Sequence, residues 1–208
     1  MYMKNDSIIF DIDGTLWSAS STTAKAWNLG LKSLGLEKEI TPEQVESVTG
    51  NPNEDCIEQL LPGLKEKYPT LLKVLDTCER KFIQSEGGVL YEGVVEGIKE
   101  LAKRHSIFLV SNCQDWYLDQ FFIFSGLRNT IVDSDCHGLS QMTKTEMLKR
   151  MREKHMLKNP VYIGDTAGDM DSARQASIEF IGVSYGFGQM KSEKIFDSFP
   201  SLLEYLEK

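Results

Sequence analysis

Short apolar runs punctuate this chain at Ser7–Phe10, Ile107–Val110, Thr130–Val132, Val161–Ile163 and Glu179–Val183. Each is rich in β-branched or aromatic residues and bounded by polar or glycine-containing turns, the pattern of strands buried on both faces of a parallel sheet. Helical periodicity fills most of the intervals. Val94, Ile98, Leu101 and Ala102 form one apolar face, and Met147, Leu148 and Met151 form another behind Thr143-Lys144-Thr145-Glu146, which fits a capping box. Strands alternating with helices predict an α/β fold, with a doubly wound, Rossmann-like parallel-sheet core.

The interval between the first two strands is too long for one crossover, and its pattern is helical. Ser20–Leu34 carries Ala24, Trp27 and Leu31 at helical spacing; Thr41-Pro42 with Gln44 is a well-formed helix start. Asn53 is placed as the cap of a short helix with Ile57, Leu60 and Leu61. Leu71, Leu75, Cys78 and Phe82 define the longest amphipathic helix, closed by Gly87-Gly88. The expected organisation is a catalytic core of residues 1–15 and 88–208, with residues 16–87 as an inserted all-helical cap domain. The junctions near Thr15–Ser18 and Gly87–Gly88 are the expected hinges.

Composition narrows the class. The chain has 208 residues, 41% of them hydrophobic, enough for a core without disulfides. Twenty-three basic against 31 acidic residues give a net charge of −8, so a polyanion meets repulsion and nucleic acid is excluded as a partner. No apolar run approaches the ~20 residues of a membrane span, and Lys4 and Asp6 beside a three-residue apolar run make no signal peptide. Cys56, Cys78, Cys113 and Cys136 are widely spaced and share no ligand spacing with His105, His137 or His155, which predicts reduced thiols in the cytoplasm and no zinc site.

Three strand ends carry the candidate chemistry. The first reads Ile9-Phe10-Asp11-Ile12-Asp13-Gly14-Thr15, the second Leu109-Val110-Ser111-Asn112, and the fourth Tyr162-Ile163-Gly164-Asp165-Thr166 with Asp169 beyond it. Ligands of open parallel sheets bind beyond the carboxyl ends of the strands, so these residues converge. One acid after a strand is ordinarily a turn or cap residue. Four carboxylates in one cleft repel by several kcal/mol per pair at ~4 Å and an effective dielectric near 20, and such a cluster needs a divalent cation or protonation. An all-oxygen donor set favours Mg²⁺.

In order, D-x-D-G-T at Asp11–Thr15, strand-Ser111-Asn112, a lone Lys144 and G-D-x-x-x-D at Gly164–Asp169 resemble the haloacid dehalogenase superfamily, in particular its phosphoglycolate phosphatase-like members with a helical cap. The resemblance spans the whole chain, since the helical insert falls where that family carries its cap. It implies a Mg²⁺-dependent phosphatase acting on a small phosphorylated metabolite. Asp11 would be the nucleophile and Asp13 the general acid–base. Asp11, the carbonyl of Asp13 and Asp165 would hold the metal, with Asp169 outside them or beside Lys144. Gly14, Thr15, Ser111, Asn112 and Lys144 would serve phosphate binding, with Thr15 also orienting Asp13. Lys144 departs from the family pattern in being followed by Thr145 rather than proline; Lys149, Lys154 and Lys158 compete for its role. Lys144 is preferred for its place in the first turn of a capped helix.

Trp17, Thr49, Gly50 and Asn51 are the cap-side residues expected to select substrate. The competing readings are simple packing for Trp17 and a plain turn built on Gly50 and Pro52. Gly182, Gly186 and Gly188 are assigned to an ordinary loop. Two rivals share the pattern: a phosphomutase or phosphotransferase of the same superfamily, and a non-enzymatic phosphoaccepting switch resembling a receiver domain. The sequence leaves the substrate and the oligomeric state open.

Overall fold

The computed structural model describes residues 6–188 and 190–208; Lys4, used above to argue against a signal peptide, lies outside them. Strand β1 (Ser7–Phe10) leads into a two-residue strand β2 (Trp17–Ser18), followed by helices α1 (Ser20–Ser33), α2 (Pro42–Val48), α3 (Asn53–Leu60), α4 (Leu64–Lys67) and α5 (Leu71–Glu86). Strand β3 (Val89–Leu90) returns the chain, and α6 (Val94–Leu101), β4 (Ser106–Ser111), α7 (Asp115–Ser125), β5 (Asp133–Cys136) and α8 (His137–Ser140) follow. The last elements are α9 (Lys144–Lys154), β6 (Pro160–Gly164), α10 (Ala167–Gln175), β7 (Glu179–Val183), β8 (Ile195–Phe196) and α11 (Phe199–Leu206).

Six strands form one parallel sheet in the order β5-β4-β1-β6-β7-β8. Alternating side chains feed two cores, as the strand period of two requires. Ile8, Phe10, Ile107, Leu109, Val161 and Ile163 pack with α6, α7 and α11, whereas Ile9, Phe108, Val110 and Tyr162 pack with Met147, Leu148 and Met151 of α9 and with Ala173 of α10. Each fully buried Ile, Leu, Val or Phe contributes about 1.5–3 kcal/mol. The α/β doubly wound core predicted from the run pattern is present.

Register sets the site. Phe10 lies opposite Leu109 on one side and Ile163 on the other, so the carboxyl ends of β1, β4 and β6 fall within two residues of one another, with Ser111 and Asp165 one register step beyond Asp11. Helices α1–α5 have their own apolar cluster, including Trp27, Leu31, Val45, Ile57, Leu71 and Leu75. The junctions flanking them, expected as hinges, are tied by the antiparallel β2–β3 pair and by the Thr22 hydroxyl donating to the Gly87 carbonyl at 2.9 Å. Among the described residues no helix is long and apolar enough to cross a membrane.

Three local expectations need correction. The third strand is Asp133–Cys136, not Thr130–Val132. It is an edge strand, where polar residues suffice: Asp133 pairs with Lys154 and His155, Asp135 pairs with Arg150, and Val132 is exposed. Asn53 is the first residue of α3 and not its cap; Pro52 precedes it, and the Asn53 amide turns toward Glu79. In α5 the buried row is Leu71, Leu75, Glu79 and Ile83, with Cys78 and Phe82 only half-buried.

Candidate active site

Lys144 is the first residue of α9, whose Thr143 cap accepts from Glu146 N–H while the Glu146 carboxylate accepts from Thr143 N–H. This capping box aims a buried ammonium under the sheet's carboxyl edge. Nζ donates to Asp11 Oδ1 at 3.0 Å and Asp169 Oδ1 at 2.6 Å. Both carboxylates hold the ammonium in its charged form against the cost of burial. The competing Lys149, Lys154 and Lys158 are exposed.

Asp169 occupies the third helical position of α10 and completes a second capping box with Thr166. Its Oδ2 accepts from the Thr166 backbone and hydroxyl, and its Oδ1 from Lys144 and from Tyr162 at 3.1 Å. Four donors fill both oxygens and, together with the Lys144 charge, keep its carboxyl below the ordinary range despite burial. Of its two expected places, Asp169 takes the one beside Lys144.

Asp165 follows β6. Its Oδ2 accepts from the backbone N–H of Phe187 at 2.7 Å and of Gly188 at 3.2 Å, and its Oδ1 lies 3.4 Å from the Thr15 hydroxyl. Thr15 therefore supports Asp165, correcting the expectation that it orients Asp13. The loop holding Gly186 and Gly188 also has a site role that its missing G-x-G-x-x-G spacing concealed: it cradles Asp165. Burial and the Asp169 charge raise Asp165 to about 6. Gly14, at φ +80°, lies so close that a Cβ there would fall 2.1 Å from Asp165 Oδ2.

Asp11 is buried, and desolvation together with Asp169, Asp165 and Asp13 raises its carboxyl while Lys144 opposes the rise. Oxygens of Asp11, Asp165 and Asp169 lie within 4.8 Å of one another. With Asp169 filled by its four donors, Asp11 and Asp165 are the carboxylates of this trio with acceptor capacity left, and hard oxygens of this kind fit a hard divalent cation such as Mg²⁺. Asp13 stands apart from that trio and is raised to about 7, chiefly by burial; the Tyr117 hydroxyl donates to its Oδ1 and opposes the rise. Sequence reasoning missed Tyr117, for a tyrosine inside the aromatic run of α7 reads as packing.

Ser111 is buried at the end of β4, and its Oγ accepts from Cys113 N–H at 3.2 Å. Asn112 Nδ2 donates 2.7 Å to the carbonyl of Gly50, tying the sheet edge to the helical segment. One cavity brings together Asp11, Asp13, Ser111, Asn112 and Lys144 with Thr49, Gly50 and Asn51 from across that tie. Trp17 is not in its lining. It is fully buried among Tyr117 and Phe121, with ring centroids 5.4 Å away in each case, and is corrected to a packing residue.

The model of the haloacid dehalogenase-like hydrolase family matches residues 8–183, which include every one of these site residues except Gly186, Phe187 and Gly188. The chain belongs to that family. This haloacid dehalogenase-like hydrolase is 27% identical over 227 residues to a phosphoglycolate phosphatase of Psychrobacter arcticus, covering 99% of this chain and 97% of the relative. It is also 27% identical to a phosphoglycolate phosphatase of Photobacterium profundum, covering 96% and 95%. A solved haloacid dehalogenase-like hydrolase from Streptococcus pneumoniae shares the fold at TM-score 0.81 and 18% identity, over 98% of this chain and 99% of that one. The resemblance carried by the four motifs is borne out, and the protein is an enzyme of the hydrolase class.

Proposed function

We propose that this protein is a Mg²⁺-dependent phosphatase that hydrolyses a small phosphorylated metabolite through an aspartyl-phosphate on Asp11. The observation that carries the reading is the convergence of Asp11, Ser111 and Asp165 at the carboxyl ends of three adjacent strands, with Lys144 bonded to Asp11. Phosphatase names among full-length relatives support it. Asp11, the Asp13 carbonyl and Asp165 would hold Mg²⁺, which supplies charge neutralisation so that an anionic nucleophile can meet an anionic phosphate.

The remaining chemistry belongs to the chain. The Asp11 carboxylate attacks phosphorus, and the bond to the ester oxygen breaks as Asp13 protonates the departing alcohol. Asp13, now ionised, takes a proton from water that attacks the aspartyl-phosphate, releasing inorganic phosphate and restoring Asp11. A carboxyl raised to about 7 is matched to giving and then taking a proton near neutrality. Lys144, Ser111 and the backbone N–H groups after β4 hold the phosphate oxygens, and Asp169 positions Lys144.

Residues 16–87 act as the lid over the core formed by 1–15 and 88–208, with the Asn112–Gly50 bond as the latch. The four free cysteines support a reducing, cytoplasmic setting. The test is phosphate release from p-nitrophenyl phosphate with Mg²⁺ and with EDTA, beside Asp11→Asn. Release that needs the metal and is lost in the variant supports the reading; release that survives either change overturns it.

A further inference from the structure

The reaction leaves the identity of the departing alcohol open, and the cavity wall opposite the aspartates bears on it. Thr23, Trp27, Asn53 and Glu79 line that wall. Glu79 is 6% exposed, a carboxylate in the apolar row of α5. Its Oε1 accepts from the Thr23 hydroxyl at 3.1 Å, and its Oε2 from Trp27 Nε1 at 3.0 Å and Asn53 Nδ2 at 3.2 Å. All three donors are neutral, and burial pushes the Glu79 carboxyl up. Among the described residues no cation pairs with it.

Asn53 adds an independent sign. Its Nδ2 donates to Glu79 Oε2. Its Oδ1 is thereby left buried with no hydrogen-bond partner. An orphaned buried acceptor beside an uncompensated carboxylate is a site short of donors and of positive charge. Lys144, the one basic residue in the lining among the described residues, is committed to Asp11 and Asp169. Arg80 lies over the Trp116 ring, 5.1 Å from its centroid, pairs with Asp76, and does not line the cavity. Trp116 lines the same cavity beside Trp27.

We propose that Glu79 and Asn53 select a phosphomonoester whose leaving group carries a primary ammonium, a phosphorylated amino alcohol, and reject one that carries a carboxylate. This rests on the phosphatase reading above. The ammonium donates to Asn53 Oδ1 and to Glu79, satisfying the orphan and compensating the buried charge. A carboxylate would set a second anion against Glu79 with no cation to receive it.

The experiment compares kcat/KM of the Mg²⁺-loaded enzyme for phosphoethanolamine, glycerol 3-phosphate and phosphoglycolate, with p-nitrophenyl phosphate as the reference ester. Phosphoethanolamine is expected to exceed phosphoglycolate by at least about tenfold, and that ratio to fall by about tenfold or more in Glu79→Gln. If Glu79→Gln does not fold, Asn53→Leu reads the same ratio. Phosphoglycolate turned over as well as phosphoethanolamine overturns the proposal, as does glycerol 3-phosphate matching the amine or a variant that leaves the ratio intact. Failure on every ester, the aryl phosphate included, would sink the phosphatase reading instead. Calorimetry of phosphoethanolamine and phosphoglycolate on Mg²⁺-loaded Asp11→Asn would then decide selectivity, tighter binding of the amine supporting it and tighter binding of the carboxylate overturning it.

Discussion

Lys144 Nζ sits 2.6 Å from Asp169 Oδ1, with both side chains almost wholly buried. The pair joins the first turns of two helices and turns the ammonium toward Asp11 at 3.0 Å. Removing one member leaves a buried charge uncompensated, which costs about 3–5 kcal/mol. Lys144→Met is therefore expected to lower urea-unfolding stability by about that amount and kcat/KM by about a hundredfold or more. Asp169→Asn keeps the shape but weakens the hold, and is expected to lose activity less steeply.

Tyr117 donates to Asp13 and so favours its ionised form. Tyr117→Phe removes that bond and leaves burial dominant, so the limb of the pH–rate profile set by Asp13 should move to higher pH by about one unit or less. A profile unmoved by the substitution would show that the hydroxyl does not act on Asp13.

Asp13 and Asp165 are raised from 3.8 to about 7 and about 6. The folded protein thus keeps protons that the unfolded chain releases, and stability falls as pH rises through the window from about 4 to about 7. Below that window both states are protonated and the penalty is absent. In EDTA, Tm should decline across it; Asp13→Asn should shrink the decline, and Mg²⁺ should remove most of it. A Tm that climbs through the same window in EDTA would contradict the assignment.

Gly188 approaches so closely that a Cβ would fall 2.1 Å from the Asp165 carbonyl oxygen. Gly188→Ala must displace the loop whose N–H groups hold Asp165 Oδ2. Mg²⁺ affinity measured by calorimetry should weaken by about tenfold or more. Unchanged affinity would remove Asp165, or the loop's hold on it, from the metal site.

What the sequence made legible was whatever runs along the chain. Apolar runs placed β1, β4, β6 and β7, and the motif order identified Asp11, Asp13, Ser111, Lys144 and Asp165. What it hid depends on contacts between distant segments. Strand β5 is polar because an edge needs pairing on one side only. Tyr117 meets Asp13 across 104 positions, and the Gly186–Gly188 loop meets Asp165 through backbone groups that no residue type announces. Glu79 gave a readable signal, an acid at i+8 in an otherwise apolar helical row, which the choice of Cys78 and Phe82 as the face passed over. Trp17 drew attention by position, but its neighbours in space are aromatic rings.

The central claim is that phosphate passes through Asp11. Rapid acid quench of wild type, Asp11→Asn and Asp13→Asn with p-nitrophenyl phosphate and Mg²⁺, followed by peptide mass spectrometry, reads it directly. The account predicts a phosphoryl group on the Asp11 side chain in wild type, more of it in Asp13→Asn because its hydrolysis is slowed, and none in Asp11→Asn or in EDTA. Turnover in wild type with no phosphorylated aspartate at any quench time, or with the label on another residue, would contradict it.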